Sequence, residues 1–131
     1  MQDIKKLTFA ASCKLLKLDA KKVIPVFAGL SPKEGKAMAA HLKCVIMAKA
    51  ANMIANGGKI WIPKYGSYTP WKYEARWWHQ GGSRGFRCYV CDRWRSASGV
   101  GSRLCFLNHE TMTSLTVHNK EYIKAWNQYC K

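Results

Sequence analysis

Four residues have the spacing of a metal site: Cys88-x2-Cys91, then thirteen residues, then Cys105-x3-His109. A tetrahedral zinc ion takes two ligands from a tight knuckle and two from a second element, which this spacing would allow. The same residues are also expected to lie on a β-strand. Alternation along a strand would send Cys88 and Cys91 to opposite faces, so ligation needs a tight turn between them, and Tyr89-Val90 offers no glycine for one. The competing expectation is one cysteine buried in a sheet with the others incidental. Zinc is thus an optional cofactor, and no other cofactor is indicated.

A second kind of chemistry overlaps the first. All six arginines, Arg76, Arg84, Arg87, Arg93, Arg95 and Arg103, fall in one segment that also holds five of the six tryptophans. Guanidinium groups meet phosphates in bidentate fashion while aromatic rings stack on bases. Arg93, Arg95 and Arg103 are the first candidates for a nucleic-acid contact, with Arg84 and Arg87 behind them and Trp94 as the stacking ring. The plainer expectation is a half-exposed sheet whose aromatics are core and whose arginines are solvated. Arg103 has a structural alternative, pairing with Asp92 or Glu110 to hold a turn.

Catalytic spacing is missing. His79, His109 and His118 with Glu74, Asp92, Glu110 and Glu121 form no acid-base, nucleophile or hydrolase pattern, and so few carboxylates make a two-metal nuclease hard to build. Gly99-Val100-Gly101-Ser102-Arg103 lacks the lysine of a phosphate loop and precedes an expected strand rather than a helix. A non-enzyme is expected.

The composition agrees with a binding role. Net charge is +15, from 22 Lys and Arg against 7 Asp and Glu, more than solubility requires, and such a field attracts polyanions. Hydrophobic residues make up 48% of the 131 positions, which suits one globular domain over 1–131. No apolar run approaches the roughly 20 residues of a membrane helix, so no membrane partner is expected. The opening MQDIKKLTF has no apolar signal core, which points to a cytoplasmic protein with reduced cysteines.

Several elements must position these residues. Thr8 can cap a short helix over AASCKLLKL. Asp19 to Leu30 reads as a connection pinned to the core by Val23, Ile24, Val26 and Phe27. Ser31-Pro32-Lys33-Glu34 forms a capping box with proline at the first helical position, starting a helix to about Asn56 that buries Met38, Leu42, Val45, Ile46 and Met53. Beyond Gly58 the composition turns to aromatic, Arg and Gly. Lys59 to Pro63 could be extended, while Trp71 to His79, Arg84 to Asp92 and Ser102 to Leu107 read as three strands of an antiparallel meander. Tyr122, Ile123, Trp126 and Tyr129 repeat at helical spacing, and that helix could begin at Asn108 or at Asn119. Cys13, Cys44 and Cys130 suit small core positions.

Thr8-Phe9, Ala40-His41-Leu42-Lys43, Trp61-Ile62-Pro63-Lys64-Tyr65, Lys72-Tyr73, Gly85-Phe86 and Val100-Gly101-Ser102-Arg103-Leu104-Cys105-Phe106 occur in this order. In these pieces the chain resembles a family of small proteins of unassigned activity from Bacteroidota and their phages. The resemblance implies a phage or mobile-element origin and a closing helix. Cys88, Cys91 and the basic excess lie outside it.

The expected fold is α+β: two N-terminal helices, a small antiparallel sheet of three to four strands, and a C-terminal helix on one sheet face. The expected function is non-enzymatic binding of nucleic acid or another polyanion. Two alternatives are a phage accessory protein that blocks an acidic host or defence protein, and a virion-associated protein.

Overall fold

Thr8 starts the first helix, accepting from the Ala11 amide at 3.1 Å, and α1 spans Phe9–Leu15. The computed structural model describes residues 2–63, 67–96 and 104–130, with the backbone alone for 67–72, 76 and 89–96. Helix α1 ends where Lys17 takes a left-handed φ of 57° and Leu18 donates back to the Cys13 carbonyl at 2.8 Å. In the connection that follows, Val23, Ile24 and Phe27 are half-buried, but Val26 is 91% exposed and pins nothing.

The capping box forms as its residues require. Glu34 donates its amide to Ser31 Oγ at 3.2 Å, and the Glu34 carboxylate accepts from the Ser31 amide at 3.4 Å. Helix α2 spans Pro32–Ala55 and stops where Gly57 and Gly58 adopt φ of 69° and 85°. Its buried residues differ from the expected stripe. Of the five apolar residues assigned to it, only Ile46 is fully buried, and Met38 is 37% exposed. Ala40, Cys44, Met47, Ala48, Ala50, Ala51 and Ile54 are buried instead, because the second half of the helix has neighbours on several sides and small residues let them approach.

Strands β1, Ser67–His79, and β2, Phe86–Ser96, pair antiparallel as one long hairpin. The expected first and second strands are both present. Arg84 is not in a strand: Gly82–Arg84 is a 3-10 turn at the hairpin tip. Lys59 to Pro63 forms no strand.

The expected third strand contracts to one bridge, within the described residues 104–107. Phe106 exchanges two hydrogen bonds with Tyr73, at 3.0 and 2.6 Å. On its other side the segment meets a side chain: Asn52 of α2 donates to the Cys105 carbonyl and accepts from the Leu107 amide, both at 3.0 Å. A buried amide thus takes the place of a neighbouring strand.

Both possible starts of the last helix are used. Asn108 caps α3, His109–Thr116, and Asn119 caps α4, Lys120–Tyr129, each accepting from the amide three residues on. Asn119 also donates to the carbonyls of Ile4 and Leu7, at 2.8 and 2.7 Å. That second task explains the break: the asparagine fixes the N-terminal segment as well as starting a helix.

Leu7, Cys44, Met47, Ala48, Phe106, Met112, Leu115 and Tyr122 share one core, against which Tyr73, Ala75 and Trp77 of β1 pack. Fully burying a Leu, Met or Phe side chain contributes about 1.5–3 kcal/mol each. Trp77 stacks on Trp126 of α4 with centroids 4.7 Å apart and planes 13° apart, so α4 lies against one sheet face as expected. Among the described residues, no helix is long and apolar enough to cross a membrane.

Candidate nucleic-acid interface

The hairpin tip is built from glycines that meet a conformational need. Gly81, Gly82 and Gly85 have φ of 87°, 57° and 75°, in the left-handed region that side chains disfavour. Gln80 donates to the Gly85 carbonyl at 2.8 Å, and the Arg84 guanidinium donates to the Gln80 carbonyl, closing the turn. Arg84 and Arg87 are both exposed here.

Asn127 of α4 holds this tip. Its Oδ1 accepts from the Phe86 amide, and its Nδ2 donates to the Phe86 carbonyl at 3.0 Å and to the Ile123 carbonyl at 2.9 Å. A Cβ on Gly85 would come within 2.3 Å of that Oδ1, so glycine is required by space as well as by φ.

Strand register sorts the remaining candidates. Arg87 pairs with Trp78, which is 54% exposed, and Trp94 pairs with Lys72. Arg93 pairs with Tyr73, a residue that packs on the core. The side chains of Arg93, Trp94 and Arg95 are outside the described set, and Arg103 lies outside the described residues.

Comparisons with family models, curated proteins and solved structures found no match.

Register also corrects the expected placement of the cysteines. Arg76 pairs with Val90 and Trp77 with Cys88, so β2 advances two residues for one of β1 and Tyr89 is the extra residue of a bulge. Cys88 therefore stands opposite Trp77 and Cys91 opposite Ala75, two positions apart on the partner strand, and simple alternation does not separate them. The side chain of Cys91 is outside the described set. Cys105 is buried in the core, whereas His109 is exposed on the first turn of α3. Among the described residues, no three His, Cys, Asp or Glu side chains form a group able to hold a metal ion.

Of the other thiols, Cys13 and Cys44 are buried as expected, whereas Cys130 is only half-buried at the end of α4. Burial, with Cys130 nearby, pushes the Cys44 thiol up to about 12. Burial, with Cys44 and Cys88 nearby, also holds the Tyr122 hydroxyl well above its ordinary range. Groups held protonated in this way serve packing rather than nucleophilic chemistry at neutral pH.

One cationic feature was not legible in the sequence. Lys33 and Lys36 of α2 face Lys124, Asn127 and Gln128 of α4 across a groove of about 450 Å³. Taken separately, these lysines look like ordinary solvated helix residues. The only local signal was Lys33-x2-Lys36, which places two ammonium groups on one helix face. Their meeting with Lys124 depends on how α2 and α4 pack.

Proposed function

We propose that this chain is a small basic protein, encoded by a phage or mobile element, that binds nucleic acid without catalysis. The observation that carries the proposal is the pairing of Trp78 with Arg87 in the hairpin, both exposed, beside a tip that also exposes Arg84. A ring able to stack on a base thus lies next to guanidinium groups able to contact phosphates. The net charge of +15 supplies long-range attraction to a polyanion. Arg93, Arg95 and Trp94 continue the same basic strand, and Arg103 belongs to the same segment.

Binding to random-sequence DNA and RNA over about 50 to 200 mM salt tests this. Affinity should fall steeply, with a log–log slope of roughly 0.7 to 0.9 per phosphate contact. Replacing Arg84 and Arg87 together by Ala should make that slope shallower by about two. No retention on either polymer at low salt would remove nucleic acid as the partner and leave an acidic protein as the target of the positive surface.

A further inference from the structure

We propose that the groove between the start of α2 and α4 is a phosphate-binding channel for single-stranded nucleic acid, continuous with the hairpin tip. It rests on the nucleic-acid reading above and adds a second contact surface and a substrate class.

Three observations support it. First, Lys33, Lys36 and Lys124 converge on one groove from two helices, and among the described residues no acidic side chain lines it. The nearest acids in sequence are engaged elsewhere: the Glu34 carboxylate accepts from the Ser31 amide and hydroxyl, and the Glu121 carboxylate accepts from the Phe9 amide at 2.7 Å. These bonds direct both carboxylates to backbone and hydroxyl donors rather than to the lysines, and Gln128 adds a neutral hydrogen-bonding group to the groove.

Second, the groove adjoins the hairpin tip. Asn127 lines the groove and also binds both backbone groups of Phe86, one residue before Arg87. A strand whose phosphates lie on the lysines can thus pass directly to Arg84 and Arg87. Asn127 is a positioning residue in this arrangement, since both atoms of its amide are already committed.

Third, the size selects the ligand. A groove of about 450 Å³ has the volume of a small-ligand cleft, enough to seat a short run of one sugar-phosphate backbone and too small to enclose a duplex.

The test uses a fluorescein-labelled oligonucleotide of mixed sequence as a single strand and as a duplex, with binding read by anisotropy across a salt series. The single strand should bind more tightly than the duplex. The triple variant Lys33→Gln, Lys36→Gln, Lys124→Gln should bind it about tenfold more weakly, with a salt slope shallower by about two, from three contacts at roughly 0.7 each. A control with Lys14, Lys21 and Lys22 changed to Gln removes the same charge from exposed positions outside the groove, and should lose little. Tighter binding of the duplex would overturn the assignment to single strands. Equal losses in the two triple variants would overturn the groove, leaving general attraction by charge. An unchanged affinity in the groove variant would remove the groove while nucleic-acid binding by the hairpin stands. Failure of the wild-type protein to bind either form would remove both. All six lysines are exposed, so the melting temperatures of both variants should match the wild type.

Discussion

Asn52, Asn119 and Asn127 each fix a distant stretch of backbone with a side-chain amide. Removing such a partner strands polar groups away from water, which costs more than the bond itself contributes. Asn52→Ala should therefore lower the unfolding free energy by roughly 2 kcal/mol in urea titrations, since it removes the group that bonds both the Cys105 carbonyl and the Leu107 amide. Gly85→Ala should cost about 1–3 kcal/mol, from positive φ and the collision with Asn127, and should speed hydrogen exchange at the Phe86 amide. Cys44 makes a pH prediction. Its thiol moves from an ordinary 9.0 to about 12 in the folded chain, so stability is fully present below about pH 9 and declines as pH rises toward 12, where the unfolded chain alone ionises. Tyr122 adds a loss of the same sign from its ordinary 10.0 upward. Cys44→Ala should show a flatter alkaline limb in denaturation midpoints measured against pH. Of these residues, Asn108 and Asn119 were legible as helix starts because a cap is a local signal. The clamps made by Asn52 and Asn127 were not, because each joins residues more than forty positions apart.

At the scale of elements, locally encoded features were the readable ones. The capping box of α2 depends on four consecutive residues, and Ser31→Ala should cost about 1 kcal/mol in thermal or chemical denaturation. The two long strands were also found, the end of the first at His79 as expected and the other three boundaries shifted by two to four residues. Features that depend on neighbours were harder. The bulge at Tyr89 has no glycine to announce it, yet it resets which residues of β2 face which residues of β1. The segment after Leu104 looked like a full strand because its residues are apolar, but one pair of bonds to Tyr73 and the amide of Asn52 satisfy it. The stripe on α2 was misjudged because a helix with neighbours on several sides buries alanines that an amphipathic pattern assigns to the surface.

For the whole molecule, the α+β class and the helix against one sheet face followed from composition and period. The basic excess was plain from counting, whereas its arrangement was not. Arginines cluster within one segment of sequence, but the lysine groove is assembled by packing two helices that are far apart in the chain. The ends of the chain are joined in a similar way. Asn119 holds the carbonyls of Ile4 and Leu7, and Glu121 holds the amide of Phe9, across 112 to 115 residues. During translation, the segment Ile4 to Phe9 must therefore wait for Asn119 and Glu121 to emerge before it can dock. A ribosome-bound nascent chain that stops before Asn119 should leave that segment open to protease, and extension past Glu121 should close it.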